Sequence, residues 1–180
     1  AWIDEGDAKS TPDQSQAPFM ITPPISRVDG NKGQTLRISA LPKSGGLSKT
    51  QETLYWLNIL DIPPKPSAKN INDVPENFLQ LAIRSRIKFF YRPTEIKEDS
   101  SVASTKLEWS IQGTQLRVKN PTPFHITLTT VNQDNAGKRV DLISQGLMLK
   151  PFSEDSITLK SSNTSKMVFT SINDYGGRVE

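Results

Sequence analysis

The side chains best suited to covalent or metal chemistry are nearly missing from this sequence. There is no cysteine and only one histidine, His125, so thiol nucleophiles, disulfides and Cys-based zinc sites are excluded, and the usual catalytic triads and zinc sites lack their parts. His125 has no second His near it and is read as structural. The paired carboxylates Glu154-Asp155 are read as residues of a turn. No catalytic residue, metal site or cofactor is expected.

What the sequence does offer is a ribbon with two unlike faces, Leu79 to Pro93. Its odd positions are Leu79, Leu81, Ile83, Ser85, Ile87, Phe89 and Tyr91, while Gln80, Arg84, Arg86, Lys88 and Arg92 occupy even ones. Period two is the mark of a strand with one apolar and one charged face. On a helix these apolar residues would scatter around the whole circumference. The stretch is therefore read as one long strand closed at Arg92-Pro93, where proline cannot donate to a ladder. The row Arg84, Arg86, Lys88 reads as a solvated strand face. A phosphate-binding stripe is the other reading, weakened because no aromatic for base stacking precedes Phe89.

The remaining chain supplies short strands. With 180 residues, 13 prolines and 34% hydrophobic content, it suits an all-β protein, and two domains are preferred over one. The net charge of +3 favours acidic partners only weakly. No apolar run approaches the length of a membrane helix, so no membrane insertion is expected. No charged-then-apolar signal segment opens the sequence.

Strands are expected at Trp2-Ile3-Asp4, Phe19 to Thr22, Thr35 to Ile38 and Glu52 to Ile59, the last apolar on both sides and so covered on both. Either bond of the Pro23-Pro24 closure could be cis. Thr94 to Ser104, polar with little to bury, reads as a linker into a second domain. Beyond it, strands are expected at Leu107 to Ile111, Gln115 to Lys119, Phe124 to Val131, Val140 to Ile143, Met148 to Leu149, Ser156 to Lys160 and Met167 to Ile172, with turn signals between them, among them Gln133 to Gly137. Close, even spacing argues for a β-sandwich.

Four blocks together resemble the periplasmic chaperones of the chaperone-usher pathway, which assemble bacterial pili and fimbriae. They are Tyr55 to Pro64, Leu79 to Pro93, Asn120-Pro121-Thr122-Pro123-Phe124, and Ile172-Asn173-Asp174-Tyr175-Gly176-Gly177. The resemblance implies two immunoglobulin-like β-sandwich domains, residues 1–93 and 94–180, set at an angle with a cleft between them, and no catalysis. It also implies that the chain starts at what would be the third strand of the first domain. The family acts in the periplasm on pilus subunits whose sandwich lacks a strand, and hands them to an outer-membrane usher. The strand matching Leu79 to Arg92 fills the gap.

An apolar edge strand normally invites aggregation; here the resemblance makes that property the function, by β-augmentation. Leu79, Leu81 and Ile83 are the expected donated side chains, while Ile87, Phe89 and Tyr91 are expected to pack in their own domain or a cleft. Lys88 matches the lysine that grips the subunit's terminal carboxylate. The arginine that completes this grip in the family has no counterpart in this chain. Glu52, Arg92 and Asp174 match a buried interdomain charge cluster that sets geometry. Residues 65–78, of moderate length, lean toward the short-loop class. Asn163-Thr164-Ser165 fits a glycosylation sequon, which in such a chain is read as chance. The competing reading from another class is a structural or adhesive module that self-associates, as a dimer or larger, through the same edge.

Overall fold

The computed structural model describes residues 1–41, 47–64, 79–135, 138–160 and 166–180. It is nearly all β and divides into two compact units, Ala1–Leu47 with Thr53–Tyr91, and Ser48–Glu52 with Arg92–Glu180.

In the first unit, β1 (Trp2–Asp4), β4 (Thr53–Asp61) and β5 (Ile83–Tyr91) form one antiparallel sheet in the order β1-β4-β5. β2 (Phe19–Thr22) and β3 (Arg37–Ala40) form a second. The Thr22–Pro23 bond that closes β2 is cis. Side chains opposite one another across a ladder share a face, so the pairs Ile3↔Leu57, Leu57↔Ile87 and Tyr55↔Phe89 set Ile3, Tyr55, Leu57 and Phe89 on one side of the sheet. That side meets Phe19, Ile21, Leu36 and Ile38 in an apolar core. Phe19 stands edge-on to Tyr55 and Phe89, with ring centroids 4.9 and 5.1 Å apart.

Two expectations for this unit are corrected. The strand expected from Leu79 begins at Ile83, because its partner β4 ends opposite it at Asp61 and continues into Pro63-Pro64, which cannot extend a ladder. Gln80 still ties this lead-in to the partner, its Nε2 donating to the Pro63 carbonyl at 2.8 Å. β4 is also covered only as far as Asn58, since Ile59, Leu60 and Ile62 are exposed. Residues 65–78, on which the loop-class reading rests, lie outside the described residues.

In the second unit, β6 (Glu108–Gln112), β7 (Gln115–Lys119) and β11 (Glu154–Thr158) form one sheet, ordered β11-β7-β6. The other runs β10-β8-β12-β13, with β9 also on β8, from β8 (Ile126–Asn135), β9 (Lys138–Asp141), β10 (Leu147–Leu149), β12 (Lys166–Ile172) and β13 (Arg178–Val179). Leu116, Val118 and Ile157 from the first sheet meet Ile126, Leu128 and Leu149 from the second in a closed core. This is the two-domain, immunoglobulin-like β architecture that the resemblance implied.

Three local readings change here. Residues 100–106, placed largely in a linker, form a 3-10 helix because the Asp99 carboxylate caps it, accepting the Ser101 N–H at 2.8 Å, while Ala103 is buried in the core. Glu154-Asp155 belong to β11 and not to a turn, since Glu154 pairs with Lys119 in the ladder and accepts from Arg117 at 3.3 Å. Asp134 and Asn135, expected in a turn, continue β8 against β9. The Asn163 sequon lies outside the described residues.

Candidate functional site

One edge of the first sheet is the strand β5. Among the described residues it pairs only with β4, so its other edge carries no partner strand. Backbone groups on such an edge are a template for another chain. On the core-side face of β5, the Phe89 and Tyr91 end packs into the apolar core, whereas Ile83 and Ile87 are 62% and 52% exposed. Leu79 and Leu81, just ahead of the strand, are 81% and 62% exposed. Ile87, expected to pack in its own domain or a cleft, is exposed and extends this row.

The opposite face of β5 corrects the reading of a solvated basic stripe. Asp4 on β1 is fully buried, and a buried carboxylate is costly unless it is paired and hydrogen-bonded. Its Oδ1 accepts from the Gly6 N–H at 2.7 Å and from Arg86 Nη2 at 2.7 Å. Its Oδ2 accepts from Asn58 Nδ2 at 2.7 Å and from Arg86 Nε at 3.2 Å. Arg84 donates from Nε and Nη2 to Asn58 Oδ1 at 2.9 and 2.7 Å, and from Nη1 to the Ala8 carbonyl at 2.8 Å. The two guanidinium groups also lie over indole rings, Arg84 over Trp2 at 4.6 Å and Arg86 over Trp56 at 4.1 Å. Burial pushes the Asp4 carboxyl up, but the bonds from Arg86, Asn58 and Gly6 outweigh it and hold its pKa below the usual range. These arginines are engaged inside the protein, which removes them from a phosphate-binding stripe.

Lys88 stands on this same face, opposite Trp56. It is half-buried, and burial lowers its ammonium pKa.

The second constellation lies in the second unit. Glu52, Arg92 and Asp174, picked out from the sequence, are brought together. Arg92 donates from Nε to Glu52 Oε1 at 2.7 Å, and from Nη1 and Nη2 to the two Asp174 oxygens at 2.9 and 3.1 Å. This is the two-sided use of a planar fork. Glu52 is buried while Asp174 is 52% exposed, so the cluster is enclosed at only one end.

Sequence reading missed its other members. Ser100 joins Arg92 and Asp174 at 3.0 and 2.8 Å. His125 donates its backbone N–H to Glu52 Oε2 at 2.8 Å, with its Nδ1 3.3 Å from the same oxygen. Its place follows from the preceding turn, where buried Asn120 accepts at Oδ1 from the Thr122 N–H at 3.0 Å and donates to the Phe124 carbonyl at 2.7 Å. Phe124 in turn underlies Arg92, 4.9 Å from ring centroid to guanidinium. Burial raises the Glu52 pKa, but His125 and Arg92 lower it further than that; hydrogen bonding from Arg92 is the main cause that depresses Asp174.

Neither constellation has the form of a catalytic centre, and among the described residues no His, Cys, Asp and Glu group could hold a metal ion. Nor is any helix among them long and apolar enough to cross a membrane.

Comparison with known proteins covers nearly the whole chain. Residues 1–97 match the model of the pili and flagellar-assembly chaperone PapD N-terminal domain, and residues 102–180 that of the pili assembly chaperone PapD C-terminal domain. The chain is 48% identical over 182 residues to the chaperone protein MrkB of Klebsiella pneumoniae, covering 99% of this chain and 75% of that relative. It is 38% identical over 180 residues to the chaperone protein FimB/FhaD of Bordetella pertussis, covering 98% and 71%. Among solved structures, the Pseudomonas aeruginosa CupB2 chaperone superposes with a TM-score of 0.78 at 32% identity, over 99% of this chain and 80% of that one. The Salmonella enterica SafA pilin in complex with the SafB chaperone gives 0.75 at 27% identity, over 99% and 77%. With both domain models matched and the same two-unit β fold, the chain belongs to the pilus-assembly chaperones of the chaperone-usher pathway, a family of binding proteins and not of enzymes.

Proposed function

We propose that this chain captures pilus subunits in the periplasm by lending β5 and its lead-in to a subunit whose own sandwich lacks a strand, and that it delivers them to an outer-membrane usher. The observation that carries the reading is a strand edge that is open among the described residues, beside exposed aliphatic side chains at alternate positions of β5 and its lead-in, Leu79, Leu81, Ile83 and Ile87. Backbone pairing gives a ladder indifferent to sequence, and the alternate side chains enter the subunit's interior.

Lys88 supplies the fixed point. Its ammonium is already partly desolvated, so a terminal carboxylate arriving there forms a charge-assisted bond of about 1.5 to 3 kcal/mol. Glu52, Arg92 and Asp174 set local geometry near the end of β5 without touching the subunit.

Mixing the protein with a subunit lacking its last strand tests this. A one-to-one complex is expected. Homo-oligomers with no subunit bound would instead favour self-association through the same edge.

A further inference from the structure

We propose that Asp4 is the positioning residue that fixes the register of β5, and thereby decides which side chains are offered to a partner. This rests on the reading of β5 as the lent strand. The need for such a device follows from where β5 is held. Its Phe89 and Tyr91 end is anchored by the apolar core, but at the other end Ile83 and Ile87 are exposed and contribute little packing. Among the described residues β5 also has only one neighbouring strand, β4. An edge strand with little packed on its apolar face is where register is least specified.

The Asp4 network acts on this under-packed end. Arg84 and Arg86 are its β5 members, Asn58 and Trp56 its β4 members, Asp4 and Trp2 its β1 members, so side chains tie three strands together in addition to their ladders. The Trp2 Nε1 finds no hydrogen-bond partner among the described residues, which leaves packing and the Arg84 guanidinium to hold the ring.

The network discriminates between registers. A slip by one residue turns Ser85 or Ile87 toward Asp4 and strands a buried carboxylate without its cation. A slip by two keeps the face, but brings either Lys88, a point charge without a fork, or Arg84, taken from Asn58. Each two-residue slip therefore breaks a fitted contact of the native register, the 2.7 Å bond from Arg86 Nη2 to Asp4 in the first case or the 2.9 and 2.7 Å bonds from Arg84 to Asn58 in the second, while the Asn58 bond to Asp4 stays. A hydrophobic face would tolerate the two-residue slip far better.

The test uses the full chain with Asp4→Asn, and with Arg86→Lys as a second variant that keeps the charge and removes the fork. Amide hydrogen exchange along β5 is read beside capture of an incomplete pilus subunit. At least tenfold faster exchange is expected at Ile83 to Ile87, with Phe89 to Tyr91 little changed, and about tenfold weaker capture at an unchanged folded fraction.

The positioning role is overturned if protection falls equally along β5, if exchange rises while capture holds, or if capture falls with exchange unaltered. Should Asp4→Asn not fold, Arg86→Lys carries the same expectations. If the wild-type chain captures no subunit, the lent-strand reading fails, and the exchange profile alone still decides whether Asp4 sets the register.

Discussion

Replacing Leu79, Leu81 and Ile83 together by alanine separates the free protein from its complex. Fully burying one such aliphatic side chain is worth about 1.5 to 3 kcal/mol. In the free chain these three keep 81%, 62% and 62% of their surface in water, so most of that gain is still to be realised. Burying the remainder against a subunit contributes roughly 3 to 6 kcal/mol before ordering costs, or about two to four decades in Kd. The free fold should hardly notice, because exposed positions away from special features usually change stability by about 0.5 kcal/mol or less. Urea unfolding of the free variant and titration with an incomplete subunit give the two numbers. The reasoning is refuted if the affinity changes by less than threefold, or if the free protein loses as much stability as the complex.

Three further outcomes are expected. Lys88→Asp should abolish subunit capture while leaving the circular dichroism spectrum of the free chain intact; complexes at normal yield would remove Lys88 as the anchor. Leu81→Glu should weaken capture more than Gln80→Glu does, and equal losses would put the wrong face toward the subunit. Asp4, Glu52 and Asp174 all have carboxyl pKa values lowered by folding, so their stabilising contribution is present above the ordinary carboxylate pKa of about 4 and is lost as pH falls from there through the depressed values. Thermal melts should therefore be flat from about pH 7 to 5 with respect to these groups and fall below about pH 4, and Asp4→Asn should reduce the acid dependence of the first unit's unfolding.

Alternation made much of this legible. β2 and β7 fall where the sequence places them, and the parity of β5 is as read. Period two tells which residues share a face, but not which face another layer covers. Arg84, Ser85, Arg86 and Ile87 look like a solvated charged side and a buried apolar side, yet the arginines are engaged and Ile87 is open. The cause is Asp4, 82 positions before Arg86 in a strand of only three residues; a lone aspartate after Trp2-Ile3 gives no local sign of what will enclose it. The onset of β5 was hidden for a related reason, since it depends on the prolines that stop its neighbour. Glu52, Arg92 and Asp174 came from family resemblance, whereas Ser100 and His125 carried no comparable mark. For the helix at residues 100–106, Asp99 before Ser100-Ser101 was a capping signal that polarity obscured.

The segment Ser48–Glu52 precedes β4, yet it is grouped with the later part of the chain. Glu52 accepts from Arg92 and His125, and Arg92 reaches on to Asp174. An excised fragment starting at Thr94 would lack two of these charges, leaving the His125 amide without its acceptor and Asp174 without its cation. Conversely, a nascent polypeptide halted before residue 174 would hold a guanidinium bonded on one side only. The second unit's sandwich therefore needs both the segment before β4 and the residues after β12, so limited proteolysis should find that unit less protected in fragments that end before residue 174 than in the 180-residue chain.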